Sequence, residues 1–178
     1  MGNDDVMDAE VLTAKIQRRV FNMKKSSSES RLVISEVMMP NQANVAGNIH
    51  GGEIMKLMDS TAYASARRYA RSNVVTARVD ELEFHLPIFI GDLVICTGQV
   101  VFAGKSSMEV AVTVEVEDLE CEGRKKALSA FFTMVSLDKK GRPNIVPELI
   151  LDTPEEKAAF EEGKRRYEAC KMKKQSHS

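Results

Sequence analysis

The hydropathy pattern of this 178-residue chain predicts an α+β fold in which one long buried helix is wrapped by an antiparallel sheet. Two observations carry that expectation. Residues 53–70 contain no glycine or proline and many strong helix formers, with Ile54, Leu57, Met58, Thr61 and Ala62 on one stripe. Four runs of strand character follow at 74–84, 92–102, 106–117 and 127–137, separated by Pro87, Gly91, Gly104 and Gly123 at the short intervals of antiparallel connections.

Taken from the N-terminus, residues 8–25 place Val11, Leu12, Ile16, Val20 and Met23 at helical spacing among lysines and arginines, which predicts a short basic amphipathic helix. Ser26, Ser27 and Ser28 make a polar break, after which the β-branched stretch 31–39 predicts a first strand. A polar, glycine-bearing loop at 40–52 leads into the long helix, where Ala64, Ser65 and Ala66 keep the cylinder thin enough for close packing on a sheet. The third later strand alternates almost strictly, with Met108, Val110, Val112, Val114 and Val116 on one face and Glu109, Thr113, Glu115 and Glu117 on the other. Thr153, Pro154 and Glu156 supply an N-cap, a first-turn proline and a capping-box acid for a charged helix to about residue 174, expected to be exposed or packed on a neighbour. The expected organisation is a helical, basic extension at 1–30, one domain at 31–150, and a charged helix and tail at 151–178.

Composition narrows the function. Acidic and basic residues nearly balance at a net charge of -1, so no global field favours nucleic acid or an anionic membrane as a partner. No apolar run approaches the roughly eighteen residues of a membrane span. Cys96, Cys121 and Cys170 are odd in number, lack metal-ligand spacing and follow no secretory leader, which points to a reducing cytoplasm. His50, His85 and His177 stand away from any cysteine or carboxylate partner set, so no metal site is expected.

The chemistry concentrates at the junction Asn44-Val-Ala-Gly-Asn-Ile-His-Gly-Gly52, where an asparagine- and glycine-rich loop ends at a helix start. Helix N-termini carry unpaired amides, and Gly51 and Gly52 leave those N–H groups uncovered, a candidate site for a developing oxyanion. A loop with an ordinary helix cap fits the same residues. Asp59 lies too deep in the helix to serve its dipole, and it faces either a crevice or solvent. No Gly-x-Ser-x-Gly elbow occurs, which disfavours a serine triad.

The linked set of residues resembles the acyl-CoA hydrolases of the hotdog superfamily. It comprises the run from Pro40 to Gly52, then Ile54 to Asp59, Val75-Thr-Ala-Arg-Val-Asp80, Phe84 with Pro87 and Gly91-Asp92, and Gly104-Lys-Ser-Ser-Met-Glu109. The resemblance implies a hotdog fold, a central helix wrapped by a curved antiparallel sheet, paired into double-hotdog homodimers and assembled further as a trimer of dimers, a hexamer. It further implies acyl-CoA thioesterase activity releasing a free fatty acid and coenzyme A, with no cofactor beyond the coenzyme A of the substrate. Asp59 matches the family's catalytic carboxylate, Asn44 its catalytic asparagine and Thr76 its auxiliary threonine, with sites lying between subunits. Asp59 has the chemistry to take a proton from water or to attack the carbonyl itself, and Asn44 to orient water or substrate. The turn Gly104, Lys105, Ser106 and Ser107 resembles the family's CoA-contacting segment. Two other readings compete: a non-catalytic acyl-CoA-binding regulator, for which the N-terminal stretch is too short to hold a helix-turn-helix, and a hotdog enoyl-CoA hydratase, whose histidine motif is absent.

Overall fold

The computed structural model describes residues 24–121 and 123–175. In chain order the elements are β1 (Lys24–Ser26), a 3-10 turn (Ser28–Ser30), β2 (Leu32–Val37), a second 3-10 turn (Pro40–Gln42), α1 (Gly51–Ala70) and β3 (Asn73–Phe84). There follow β4 (Leu93–Ala103), β5 (Ser107–Glu117), β6 (Arg124–Leu137), β7 (Glu148–Ile150) and α2 (Pro154–Gln175). Strands β2 to β6 form one antiparallel sheet in the order β2-β4-β5-β6-β3, and β1 pairs in parallel with β7 in a separate ribbon.

α1 lies across the inner face of the sheet. Ile54, Met58, Ala62, Ala66 and Tyr69 are essentially inaccessible and meet Val94, Val100, Met108, Val110, Val112, Val114, Leu128 and Met134 from the strands. The apolar alternation read in β5 is thus the core face, and of the small helix residues Ser65 and Ala66 are buried as expected while Ala64 is half-buried. Gly98 on β4 marks the closest approach: a Cβ at that position would come within 3.0 Å of Thr61 Cγ2 and 3.3 Å of the Thr61 carbonyl oxygen. Gly98→Val is therefore expected to overpack the helix–sheet contact and to lower stability by about 2–3 kcal/mol, measured by the denaturant midpoint at unchanged m-value.

Four features add to or depart from the expectations. First, the strand order, which the sequence pattern leaves open, does not put β3 beside β4. The interval around Pro87 and Gly91 carries the chain across the sheet, and β3 becomes an edge strand whose neighbour is β6. Tertiary pairing decides this, because both arrangements leave the same local pattern. Second, the serine break is no solvated linker. Ser27 Oγ donates to the Val100 carbonyl at 2.6 Å, Val100 N–H donates to Ser30 Oγ at 2.8 Å, and both serines are buried. Among the described residues, packing on the domain thus already includes Lys24 to Ser30, ahead of residue 31. Third, Lys24 and Lys25 run in a strand, while the rest of the expected basic helix at 8–25 lies outside the described residues.

Fourth, α2 packs on the outer face of its own sheet. Its start is as expected, with Glu156 N–H donating to Thr153 Oγ1 at 3.2 Å and Glu156 accepting from the Asp152 amide at 2.8 Å. Gly163 lets the helix touch β4, since a Cβ there would lie 2.7 Å from Phe102 Cβ. Phe160 and Tyr167 flank Phe102 with ring centroids 5.1 and 5.4 Å away. Arg166 forks onto Glu109, at 2.6 Å for the shortest contact, while its guanidinium stacks 3.6 Å from the centre of the Phe131 ring. Glu109, read from the alternation as a solvent-face residue, is thereby buried and paired. A carboxylate without that partner would be costly in such a place, so removing either member is worse than the pair's net value suggests.

Candidate active site

The two residues singled out most strongly, Asp59 and Asn44, do not meet within one chain. Asp59 sits on the exposed side of α1, where the Thr76 hydroxyl donates to its Oδ1 at 2.6 Å. Strand alternation makes that contact. Thr76 follows core-facing Val74 by two residues and pairs with Met134 on the helix side of the sheet, and the bulge at Ala77 then puts Arg78, paired with Thr133, on the other side. The hydrogen bond fixes one oxygen of the carboxylate, and Oδ2 has no partner among the described residues.

Asn44 lies at the other end of β3, in a tight loop. Its Oδ1 accepts from the Ala46 and Asn48 amides at 2.9 and 3.3 Å, and the turn closes through Gly47, whose φ of +83° suits glycine. With Oδ1 so engaged, the Nδ2 amide, which has no acceptor among the described residues, remains as the donor Asn44 can offer. Asn44 borders a cleft of about 370 Å³ together with Asn48, Gly51, Ile54, Phe84 and His85. Asp59 and Thr76 are not among its walls.

The helix start is used differently from the expectation at one of its two glycines. His50 is the N-cap, and its Nδ1 accepts the Gly52 N–H at 3.0 Å, so that amide is occupied. Gly51 N–H has no partner among the described residues, and Gly51 borders the cleft, where the Phe84 ring would stand 3.3 Å from a Cβ at that position. Of the two glycine amides, that of Gly51 is therefore the one left without a partner among the described residues and able to donate to an oxyanion. His50 is a capping residue here, as a loop histidine satisfied by backbone would be.

The Gly104 to Ser107 segment is a hairpin turn between β4 and β5, closed by Gly104 N–H donating to the Ser107 carbonyl at 2.8 Å. The Gly104 amide is consumed by the turn, and the exposed group is the Lys105 ammonium. Through the register Met108–Met134–Thr76, the start of β5 lies two strand spacings from Thr76, about 10 Å. Burial pushes the Cys96 thiol up to about 11, which removes it as a nucleophile. Among the described residues no group of three histidine, cysteine or carboxylate side chains is placed to hold a metal ion, and no helix is long and apolar enough to cross a membrane. Sequence reasoning missed Asn48 and His85 as cleft walls, because nothing local distinguishes them from other loop residues.

Comparison with known proteins bears on this geometry. Residues 46–122 match the family model of the thioesterase superfamily. The cytosolic acyl coenzyme A thioester hydrolase of Mus musculus is 41% identical over 155 residues, which cover 86% of this chain but only 40% of the mouse protein. The structure of an apo-hexameric acyl-CoA thioesterase superposes with a TM-score of 0.81 at 32% identity, covering 85% of this chain and 97% of that one. An acyl-CoA hydrolase from Staphylococcus aureus, in complex with butyryl coenzyme A and coenzyme A, has a TM-score of 0.79 at 31% identity, covering 87% and 94%. The asparagine, aspartate and threonine replaced by alanine in three variants of that enzyme stand fifteen and then seventeen residues apart, the spacing of Asn44, Asp59 and Thr76 here. A five-stranded antiparallel sheet folded about one helix, at this level of sequence identity over nearly the whole of these enzymes, defines a hotdog thioesterase domain. The chain belongs to the acyl-CoA thioester hydrolase family.

Proposed function

We propose that this chain hydrolyses acyl-CoA thioesters to the free carboxylic acid and coenzyme A, at a site built by two copies of the chain. The observation that carries it is the Thr76–Asp59 hydrogen bond beside a free sheet edge, with the matching asparagine cleft at the opposite end of the same edge. β3 is twelve residues long, and Val75, Val79, Phe84 and Leu86 along and just beyond it are exposed, which makes it a template for pairing with another strand. In a two-fold pair, residue i of one edge meets j of the other and j meets i. The Thr76 end of one β3 then lies against the Phe84 end of its partner. Phe84 walls the Asn44 cleft, so Asp59 of one protomer comes to face Asn44 of the other.

In this arrangement Asp59, steadied by Thr76, takes a proton from water through Oδ2 as the water oxygen attacks the thioester carbonyl. The Gly51 amide and Asn44 Nδ2 meet the charge that develops on the carbonyl oxygen, and the thiolate of coenzyme A leaves and takes up a proton as the C–S bond breaks. Water is the only co-reactant, so no metal or organic cofactor is required. The assembly we propose is the homodimer described, extended to a trimer of dimers as in the hexameric relatives, and the location is the cytoplasm, as in the mouse relative named cytosolic.

Thiol release measured with a chromogenic thiol reagent across acyl-CoA chain lengths tests the activity directly. Turnover of an enoyl-CoA without thiol release would replace it by a hydratase, and acyl-CoA binding without turnover by a regulator. Lys105→Ala is expected to raise KM for acyl-CoA by about fivefold with kcat changed less than about twofold, because a phosphate contact far from the carbonyl adds mainly uniform binding. An unchanged KM would take Lys105 out of the site.

A further inference from the structure

The hydrolase reading leaves open which groups besides Lys105 receive the phosphorylated nucleotide end of coenzyme A. A second cavity, of about 400 Å³, lies beside the β4–β5 turn and is bordered by Gly104, Lys105, Ile145, Val146, Glu148 and Lys24. We propose that Lys24 is a second phosphate-holding cation of this cavity, kept in place by Glu148 until the nucleotide arrives. The inference rests on the acyl-CoA reading and adds to it a residue of the N-terminal segment.

The backbone at Lys24 is fixed by strand pairing. β1 pairs with β7 in the register Lys24–Glu148, Lys25–Leu149, Ser26–Ile150. The next residue anchors the strand from inside: buried Lys25 donates through Nζ to the Tyr69 carbonyl at the end of α1, at 2.7 Å. Successive side chains of a strand point to opposite sides, so anchoring Lys25 inward turns Lys24 outward, to the cavity. The opposite wall is tied to the turn by Val146 N–H donating to the Lys105 carbonyl at 3.1 Å, which holds the two lysines on the border of one space.

Lys24 Nζ lies 3.3 Å from Glu148 Oε2, with both side chains more than 60% exposed. An exposed pair of this kind contributes little to stability. A phosphate carrying up to two negative charges is a stronger partner for the ammonium than one carboxylate, so Lys24 can exchange Glu148 for it at small cost. Ile145 and Val146 supply an apolar wall suited to the face of a purine.

The alternative role is a surface ion pair that only fastens β1 to β7. The two roles separate in binding. Wild type, Lys24→Ala and Glu148→Gln are titrated with adenosine 3′,5′-bisphosphate by calorimetry, and KM and kcat are measured with acyl-CoA and with the corresponding acyl-pantetheine, which lacks the nucleotide. Lys24→Ala is expected to weaken bisphosphate binding and raise the acyl-CoA KM by about tenfold while the acyl-pantetheine KM stays put. Glu148→Gln is expected to strengthen bisphosphate binding by about two- to threefold, since it removes the competing carboxylate. A fastening pair predicts the opposite for Glu148→Gln: a lower melting temperature and no gain in affinity. The proposal is overturned if Lys24→Ala leaves bisphosphate affinity within twofold, if it raises both KM values alike, or if wild type binds no bisphosphate. Absence of thiol release from both thioesters in wild type would sink the hydrolase reading instead, and the bisphosphate titration would still decide Lys24.

Discussion

Asp59→Asn is expected to reduce thiol release by about three orders of magnitude, within the range that a positioned general base supplies. The substitution is chosen because it preserves almost everything else. Asparagine has the shape of aspartate, its side-chain oxygen still accepts the Thr76 hydroxyl that now reaches Asp59 Oδ1 at 2.6 Å, and the position is exposed on α1, away from the core stripe of Ile54, Met58 and Ala62. Melting temperature and oligomeric state should therefore match wild type. What is lost is the lone pair able to take a proton from water, so kcat should fall while KM for acyl-CoA changes little, the signature of an interaction made only in the transition state. Activity within a few fold of wild type would remove Asp59 from the chemistry.

Mixing two inactive variants is expected to restore activity. Asn44 and Asp59 stand at opposite ends of the β3 edge in one chain, and a two-fold pairing of that edge joins them across chains. Asn44→Ala and Asp59→Ala homodimers each carry a lesion in both sites. A dimer containing one chain of each carries one site with both lesions and one with neither. Random reassortment after joint unfolding and refolding makes about half the dimers mixed, so roughly a quarter of wild-type activity should return. Were each site built from one chain, every site would keep one lesion and nothing would return. Mass-tagged chains verify exchange, and verified exchange without recovered activity would refute the shared site while leaving hydrolysis by a single-chain site to be tested by the single variants.

Both experiments rest on residues read from the sequence, and the reasons they were legible differ. Asn44, Asp59 and Thr76 came from a resemblance carried by a linked set of short motifs, and spacing alone left Asp59 divided between a crevice and solvent. The structure supplies a physical reason for its position: the pairing of β3 with β6 holds Thr76 on the helix side of the sheet, where its hydroxyl reaches Asp59, and strand pairing is not announced by local propensity. Gly52 shows the reverse. A bare amide at a helix start is a sound expectation from sequence, yet the His50 ring, two residues earlier, folds back and takes it.

What the sequence by itself determined is the long helix, the five strands of the main sheet and the charged C-terminal helix, with the apolar faces of α1 and β5, but neither β1 nor β7. The α1 stripe, the alternation of β5 and the Thr153–Glu156 capping box depend on neighbours within a few residues, where side-chain periodicity and backbone hydrogen bonding act locally. Tertiary structure alone decided which strand borders which, and which polar groups go inside. β3 lies against β6 because strand pairing answers to the whole set of faces to be buried, not to chain order. Glu109 is buried because Arg166, fifty-seven residues later, reaches it with two hydrogen-bonding nitrogens over the Phe131 ring. Ser27 and Ser30 are buried because the β4 backbone at Val100 offers them a carbonyl and an amide. The cost of burying a polar group is set by the partner waiting for it, and that partner is chosen by the fold and not by the residues beside it in the chain.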